Sequence, residues 1–330
     1  ILIQSVLTSA RGTAPARWQK PGIAWYAADC QAHGNAAAGG QASAFIMNIC
    51  KTGAWCEQKG RIGAPRSCKG SGKALMLQLR VSRGFALEAS QPGSFLFLKP
   101  PGAPEMTSVP VSVMAADVEH ESLWVILKII SAKTKALAVC EDFLEMRGIY
   151  RSGLLGKGAA GMLDLRDPGN SVRKRWLILT KGVGFAPAVN LIRWTAGRID
   201  IHVIADPEKV GDDVIRRQFR AWQPEAYRNE GERFRLEFQS LAKLVEQPAA
   251  ASPVQQTDYD RIFLLASDYY IKRLSAVMKI PPEKLVFCNN FHLCCGEGIC
   301  GACGHVDAEG NLRKMCKCRE FSALDLLLPE

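Results

Sequence analysis

The sequence predicts a β-barrel plus α/β fold. An antiparallel β-barrel is expected over 71–168, a parallel α/β domain over 169–280 and a cysteine-dense segment over 281–330. An irregular, cysteine-rich N-terminal extension is expected over 1–70. Three observations predict this order: short strands separated by Pro and Gly turns, then alternating strands and helices, then closely spaced cysteines.

The first 70 residues are rich in Ala, Gly and Cys and show little apolar periodicity. Cys30, Cys50, Cys56 and Cys68 are candidates for a second metal centre. Their spacing matches no established metal motif, so a set of free thiols in an ordered arm is the alternative.

The barrel is predicted from a two-residue period that begins near Ala74. Leu75, Leu77, Leu79 and Val81 alternate with other residues, as in a strand with one buried face. A Gln-Pro-Gly turn at 91–93 follows, and no helical stretch is expected before 165. The further strands are predicted at 95–98, 109–113 and 123–130.

The α/β domain is predicted from strands that alternate with helices, a pattern typical of a parallel sheet. Strands are expected at 176–179, 199–205 and 261–266, and helices at 188–194 and 268–278. A glycine-bearing turn at 181–187 connects the first of these strands to the first helix.

Composition limits the classes of function. The chain has 330 residues, of which 48% are hydrophobic and 22% charged, as in a packed globular protein. No apolar run reaches the ~18 residues that a membrane helix requires. The net charge of +10 favours an anionic cofactor, an acidic partner or nucleic acid. The one tight basic cluster, at 173–175, is typical of a solvated face, and with 8% aromatic residues we expect no nucleic-acid partner.

Twelve cysteines are many for this length, and eight of them fall into two groups near the two ends. Clustering at short spacing favours metal or iron–sulfur ligation over disulfides, and therefore a reducing compartment. A cytoplasmic location is the corresponding expectation.

The C-terminal cysteines predict a [2Fe–2S] cluster. Cys295, Cys300, Cys303 and Cys316 follow the spacing C-x4-C-x2-C…C, which is the plant-type order for such a cluster. Interspersed glycines allow a tight loop to turn its amides toward the negative charge of thiolate and sulfide.

Two alternatives remain open for these cysteines. A structural zinc ion bound by Cys300, Cys303, Cys316 and Cys318 would make a zinc-stabilised binding module. Cys294 and Cys318 are also rival ligands to their near neighbours, because a loop absorbs one residue of slack. Cys288 is expected to be a packed thiol.

The order of barrel, strand–glycine turn–helix and cysteine tail resembles the ferredoxin–NADP reductase superfamily. Within it, residues 72–330 are similar to the electron-transfer subunit of dihydroorotate dehydrogenase. They also resemble the flavin-containing small subunit of sulfide dehydrogenase, an NADH-dependent ferredoxin:NADP oxidoreductase. The resemblance implies an FAD-binding barrel and an NAD(P)-binding α/β domain.

The resemblance also implies which residues contact FAD. Val109, Pro110, Val111 and Ser112 occupy the place of an Arg-Pro-x-Ser motif whose arginine is missing here. The remaining flavin candidates are two lysines, one threonine and the glycines of a Gly-Pro-x-Gly-x-Gly-like element: Lys128, Lys133, Thr134, Gly153, Gly156 and Gly158.

The nicotinamide cofactor is expected at the glycine turn, on Gly182, Gly184, Ala186 and Pro187. Lys181 replaces a usual glycine of the family. Asp206, which follows the next strand, is a weak candidate for contacting the ribose of NAD.

The implied function is that of an oxidoreductase subunit. Hydride would pass from NAD(P)H to FAD, and single electrons would pass through the cluster to a catalytic partner subunit in a hetero-oligomer, or to ferredoxin. No catalytic side chain is predicted, because the cofactors carry the chemistry. A degenerate docking subunit that acts as an electron wire without hydride chemistry is the alternative.

Overall fold

The computed structural model describes residues 74–140, 143–160, 162, 174–229, 233–246, 255–307 and 309–318, together with the backbone of 45–51. Three cysteines of the suggested second metal centre, Cys30, Cys56 and Cys68, lie outside the described residues, as does the side chain of Cys50. That suggestion therefore stays a prediction.

Six antiparallel strands close into a barrel in the order β1-β2-β5-β4-β3-β6. Their interior is filled by alternate side chains such as Leu77, Leu79, Val125 and Leu144, which are fully buried. The alternation that predicted the strand near Ala74 therefore marks the inner face of the barrel. The strands are β1 (Phe45–Lys51), β2 (Ala74–Arg80), β3 (Phe95–Lys99), β4 (Val109–Asp117), β5 (Ser122–Lys128) and β6 (Phe143–Tyr150).

The barrel differs from the expectation in two ways. Strand β1 lies within the stretch predicted to be irregular and pairs with both β2 and β6, so that expectation is wrong for these seven residues. Two helices, α1 (Arg83–Ala89) and α2 (Ala132–Val139), occur where no helix was expected. Each begins after a serine N-cap whose hydroxyl accepts a backbone N–H, a local helix signal.

The second sheet has six strands in the order β10-β9-β8-β11-β12-β7. Strands β8 to β12 run parallel, and β7 pairs antiparallel with β12. The predicted parallel sheet is therefore confirmed. Its strands are β7 (Leu154–Leu155), β8 (Arg175–Lys181), β9 (Asp200–Asp206), β10 (Phe234–Phe238), β11 (Arg261–Leu265) and β12 (Leu285–Cys288).

Helices cover this sheet on both faces. In β8, Trp176 and Ile178 pack on one face and Leu177 and Leu179 on the other, and all four are fully buried. A strand covered on both sides is apolar along its whole length, which is why 176–179 has no alternation. The helices are α3 (Lys157–Ala160), α4 (Phe185–Thr195), α5 (Asp212–Trp222), α6 (Ala226–Asn229), α7 (Leu241–Glu246) and α8 (Asp268–Val277).

The sheet takes strands from three of the predicted segments. Strand β7 lies in the segment 71–168 and β12 in the segment 281–330, whereas the other four strands lie in 169–280. The predicted domain boundaries themselves stay a prediction. In the described part of the chain, no helix has the length and apolar character needed to traverse a lipid bilayer.

The C-terminal part packs against both larger units. After β12 the chain makes a loop and a two-stranded hairpin, β13 (Gly304–Val306) and β14 (Leu312–Lys314). Cys303, Met315 and Cys316 are buried in one core cluster with Phe95 and Phe97 of the barrel and with residues of β11 and β12. The cysteine segment is therefore fixed at the junction of the barrel and the parallel sheet.

Candidate functional site

The loop between β12 and β13, residues 289–303, carries three of the four predicted cluster ligands. Its start is fixed by Asn289, whose Nδ2 donates to Ser152 O at 2.8 Å and to Met315 O at 2.9 Å. The Ser152 hydroxyl donates to Cys316 O at 2.7 Å. These bonds bring the fourth predicted ligand, Cys316, to the loop although it is 13 residues beyond Cys303.

The four predicted thiols lie together in two pairs. The side chain of Cys295 is in hydrogen-bonding contact with that of Cys300, and the side chain of Cys303 with that of Cys316. The two pairs are close enough for Cys295 to act electrostatically on Cys316. A [2Fe–2S] cluster is held by four cysteine thiolates, two on each iron, so this pairing fits such a cluster.

Backbone N–H groups donate to three of these sulfurs. Glu297 N is 3.3 Å from Cys295 Sγ, Gly298 N is 3.2 Å from Cys316 Sγ, and Cys316 N is 3.4 Å from Cys303 Sγ. Amide dipoles directed at sulfur stabilise its negative charge. The loop therefore offers an environment suited to thiolate ligands.

The pKa values of the two ends of this group move in opposite directions. Burial raises the pKa of Cys295, but N–H donors from Cys300 and Glu297 outweigh it and bring the pKa to about 6. Burial and the neighbouring Cys303 raise the pKa of Cys316 to about 12. A cation bound among the four thiols would favour the thiolate form of each.

The backbone conformation of the loop favours glycine at two positions. Gly296 has φ +72°, and a Cβ there would lie 2.6 Å from Cε1 of Tyr150. Gly298 has φ +75°, and its N–H is one of the donors to sulfur. Both residues therefore occupy backbone conformations that strongly favour glycine, as the sequence predicted.

The residues present fit a [2Fe–2S] cluster in number, in donor type and in their grouping. Within the described ranges, no three Cys, His, Asp or Glu side chains are arranged to hold a single metal ion. The choice between neighbours stays open, because the Cys294 side chain also contacts Cys300. Cys318 is partly buried beside the same core, and its N–H donates to Lys314 O at 3.1 Å.

Six of the predicted flavin residues lie on β4 and at the start of α2. Val109 and Ser112 are partly exposed, Pro110 is exposed, and Val111 points into the barrel core. The Lys133 ammonium donates to Met106 O at 2.5 Å, which joins the start of α2 to the segment that leads into β4. A helix N-terminus with an adjacent exposed lysine fits an anionic diphosphate.

Thr134 is occupied within its own helix. Its hydroxyl oxygen accepts from Ile130 N at 3.0 Å and Ser131 N at 2.9 Å, while Ser131 Oγ accepts from Thr134 N at 3.2 Å. This reciprocal arrangement is a capping box, so the threonine shapes the helix start.

The cysteine loop and this helix start are connected through the segment before β4. Lys133 donates to Met106 O, and the adjacent Glu105 lies 3.7 Å from Arg147, which donates to Cys295 O. Burial and the neighbouring Cys300 raise the pKa of Cys294, whereas the Lys133 ammonium lowers it. The flavin candidate Lys133 and the cluster candidates therefore share one region of the molecule.

The predicted nicotinamide turn connects β8 to α4, which begins at Phe185 rather than at 188. The backbone passes close to β11, since a Cβ on Gly184 would lie 2.0 Å from Leu265 O. Ala186 and Pro187 are buried in the first turn of α4. The glycine at 184 therefore has a packing reason that does not require a cofactor.

Two ion pairs surround this turn. Lys181 Nζ lies 2.5 Å from Asp206 Oδ2, and the Asp206 carboxylate also accepts from Leu241 N at 2.9 Å. Lys128 of the barrel pairs with Glu208, and both side chains lie over Gly182. Asp206, the weak ribose candidate, and Lys128, a flavin candidate, thus already have charged partners.

The three glycines after the barrel also have packing reasons. A Cβ on Gly153 would lie 2.5 Å from Gly93 O, and one on Gly156 or Gly158 would lie 2.4 or 2.8 Å from Leu285 O. They allow the chain to pass closely between β3 and β12. Their role in cofactor binding stays a prediction.

The sequence did not single out the residues that hold the cysteine loop against the barrel. Arg147 and Tyr150 of β6 contact the loop directly. Asn289 and Ser152 fix its start and Cys316. Their partners are about 26 to 164 residues away in the chain, and most are backbone carbonyls, so local patterns carry no signal for them.

Comparison of the sequence with protein-family models and with curated proteins gives no match. Solved structures do match. The NADH-dependent reduced ferredoxin–NADP oxidoreductase, studied for flavin-based electron bifurcation, has a TM-score of 0.55 at 14% identity, covering 82% of this chain and 91% of that chain.

Two further solved structures are similar. Ferredoxin–NADP+ reductase from Plasmodium falciparum has a TM-score of 0.49 at 10% identity, covering 72% of this chain and 89% of that one. The ferredoxin reductase in carbazole 1,9a-dioxygenase (FAD apo form) has a TM-score of 0.46 at 13% identity, covering 74% and 65%.

The likeness to the NADH-dependent reduced ferredoxin–NADP oxidoreductase shows that the chain shares the fold of that protein, and it confirms the predicted resemblance at the level of fold. At 14% identity, the likeness to the NADH-dependent oxidoreductase extends to the barrel and α/β architecture.

Proposed function

We propose that this chain is a subunit that transfers electrons between NAD(P)H, FAD and a [2Fe–2S] cluster, to or from a partner oxidoreductase subunit. The observation that carries the proposal is the convergence of Cys295, Cys300, Cys303 and Cys316 in two pairs beside a ferredoxin–NADP reductase-type barrel. When bound, the nucleotide supplies hydride, FAD converts between two-electron and one-electron transfer, and the cluster carries single electrons.

In this proposal the cysteine loop holds the cluster. The four thiolates are its ligands, and the amides of Glu297 and Gly298 stabilise the negative charge on sulfur. Cys303 and Cys316 are buried, whereas Cys300 is exposed. The exposed side gives a partner protein a route to within a short distance of the cluster.

The barrel would hold FAD along β4 and at the start of α2. Ser112 would lie near the flavin ring, and the α2 amides with Lys133 would bind the diphosphate. Lys133 replaces, as a point charge, the fork of the missing arginine. Its hydrogen bond to Met106 O, next to Glu105 at 3.7 Å from Arg147, supports a flavin position near the cysteine loop that Arg147 holds.

The start of α4 would bind the nicotinamide nucleotide. Gly184 lets the chain approach the end of β11 closely, and α4 directs its N-terminus toward the same edge. The carboxyl ends of the parallel strands meet at this edge, where ligands of open α/β sheets bind.

Partner and location follow from the same proposal. The partner is a catalytic oxidoreductase subunit, with ferredoxin as a further acceptor or donor. Cysteine thiols that act as cluster ligands require reducing conditions, so we place the protein in the cytoplasm.

One observation favours a second candidate, an electron-wire subunit without hydride chemistry. The Lys128–Glu208 pair lies over Gly182, and Lys181 stands where the resembling family has a glycine. Both features fill space at the turn where the nicotinamide would approach the backbone.

Anaerobic purification of the full chain, followed by iron, labile sulfide, zinc and flavin analysis, tests the proposal. We expect two irons, two sulfides and one flavin per chain, and reduction of both centres by NADH or NADPH. Cluster and flavin without reduction by either nucleotide would favour the electron wire. A colourless protein with stoichiometric zinc would contradict both candidates.

A further inference from the structure

The cysteine loop is attached to the barrel by one guanidinium. Arg147 Nη1 donates to Cys295 O at 2.5 Å, and Nη2 donates to Cys294 O at 3.1 Å. The two carbonyls belong to adjacent residues and receive the two arms of a single fork. Such an arrangement fixes the position and the orientation of two consecutive peptide groups, those that follow Cys294 and Cys295.

The register of the barrel places Arg147 for this contact. Residues 144 and 146 of β6 point into the barrel core, so 145 and 147 point outward. Arg147 lies opposite Phe97 of β3, and its guanidinium carbon is 4.6 Å from the centre of the Phe97 ring. Packing on an aromatic face restricts the side chain to the conformation that reaches the loop.

Tyr150 makes the second contact from the same strand. Its hydroxyl donates to Glu297 Oε1 at 2.8 Å, and its ring packs against Gly296 and stacks on Phe95 at 5.3 Å. Phe95 pairs with Ser112, the residue predicted to lie near the flavin ring. The strand that holds the loop is therefore connected through one aromatic pair to the predicted flavin site.

The charge of Arg147 is only weakly matched. Its side chain is 13% exposed, and among the described residues the carboxylate within 4 Å is that of Glu105, at 3.7 Å from Nε and 65% exposed. Glu145 pairs with Lys99 at 2.5 Å, and Glu297 pairs with Lys317 at 3.0 Å. A partly buried positive charge thus acts on the peptide of Cys295 with little screening by solvent.

We propose that Arg147 is a positioning residue that fixes the backbone at Cys294 and Cys295 on the barrel and raises the reduction potential of the cluster bound there. The inference rests on the proposed [2Fe–2S] cluster. Reduction adds one negative charge to the cluster, and a nearby guanidinium stabilises that charge relative to the oxidised form.

The experiment compares the full chain with three variants. Arg147→Met removes the charge and the fork at similar length, and Arg147→Lys keeps the charge but loses the fork. Arg80→Met removes one exposed arginine from β2 and is the control for net charge. The first readout is the cluster midpoint potential, from a redox titration monitored by electron paramagnetic resonance. The second is hydrogen exchange of amides 294–300 in the metal-free chain.

We expect Arg147→Met to lower the midpoint potential and to speed exchange of the loop amides roughly tenfold, the factor for losing about one charge-assisted hydrogen bond. Arg147→Lys should keep a potential near that of the parent chain but exchange faster. Arg80→Met should change neither readout.

An unchanged potential in Arg147→Met would overturn the electrostatic role, and unchanged exchange in both Arg147 variants would overturn the positioning role. A parent chain that binds no cluster would instead contradict the proposed function, while exchange in the metal-free chain would still test the positioning role. If Arg147→Met does not fold, Arg147→Gln, which also removes the charge, replaces it in both measurements.

Discussion

Two glycine-bearing loops of this protein use their glycines differently. In the cysteine loop, Gly296 and Gly298 have positive φ and allow amides to point at sulfur atoms. In the turn after β8, Gly184 avoids a clash with Leu265 O, and the space over Gly182 is filled by a lysine–glutamate pair. The first loop directs its amides at cysteine sulfurs, whereas the conformation of the second follows from close packing against neighbouring residues.

Glycine spacing alone therefore does not identify a binding loop. What distinguishes the two is where the polar groups point. Amides and thiols converge in the cysteine loop, whereas the charged groups near the turn are already paired, as Lys181 with Asp206. Variants of the two loops and of the residues that contact them test this difference.

The largest effect is expected from Cys303→Ser. Cys303 is buried and paired with Cys316, so its loss removes a ligand that no solvent-exposed group replaces. We expect nearly all iron and labile sulfide to be lost after anaerobic reconstitution, measured per chain. Cys140→Ser, at a partly buried cysteine at the end of α2 and outside the cysteine loop, is the matched control and should keep both. Full iron content in Cys303→Ser would show that Cys303 is not a cluster ligand and would contradict a cluster site in the cysteine loop.

Lys181→Met should give the next largest effect. We expect it to lower the free energy of unfolding by about 3 kcal/mol, because it leaves the Asp206 carboxylate buried without its charged partner. Lys209→Met, an exposed lysine, is the control. Urea denaturation measures both. A loss no larger than that of the control would show that the ion pair does not organise the turn.

The same pair has a pH dependence with a definite sign. Burial lowers the pKa of Lys181, but Asp206 outweighs burial, so the pKa in the folded chain lies above 10.5. A raised pKa stabilises the folded state fully below pH 10.5, and that stabilisation is lost as pH rises further. The stability difference between the parent and Lys181→Met should therefore be constant at neutral pH and shrink above pH 10.5.

Gly184→Ala tests the packing role of the turn. A Cβ 2.0 Å from Leu265 O forces the backbone to move, at a cost of about 1–3 kcal/mol in unfolding free energy. Gly84→Ala in α1 is the control, since no atom lies within 4 Å of its added Cβ, and it should be neutral or slightly stabilising. Equal thermal midpoints for the two variants would contradict the packing role.

Tyr150→Phe should give the smallest effect. It removes the hydrogen bond to Glu297 but keeps the ring that packs on Gly296. We therefore expect the free energy of unfolding to fall by about 1 kcal/mol or less. Tyr269→Phe, at an exposed tyrosine, is the control. Hydrogen exchange should locate the change in 294–300, and a change spread over the whole chain would argue against a local contact.

Much of the architecture could be predicted from the sequence because its signals are local. The period-two pattern at 75–81 became β2, and the apolar run at 176–179 became the centre of β8. Strand β1 was missed because it depends on pairing with β2 and β6, which are distant in the chain. The missed helices α1 and α2 did carry a local signal, the N-cap residues Ser82 and Ser131.

The candidate site shows the same difference between features with a local sequence signal and contacts between residues that are distant in the chain. Spacing and glycines predicted a cluster on Cys295, Cys300, Cys303 and Cys316; the structure brings their side chains near one another, and the cluster itself stays a prediction. The partners that hold this loop, such as Arg147 for Cys295, meet only after the barrel closes and have no signature in local sequence. The charged pairs at the turn could not be predicted either, because Lys128 and Glu208 are 80 residues apart.

Iron, labile sulfide and zinc analysis of the anaerobically reconstituted full chain decides whether the cysteine loop binds a cluster. We expect two irons and two labile sulfides per chain, bound by the four cysteines. One zinc ion per chain without labile sulfide would contradict this expectation.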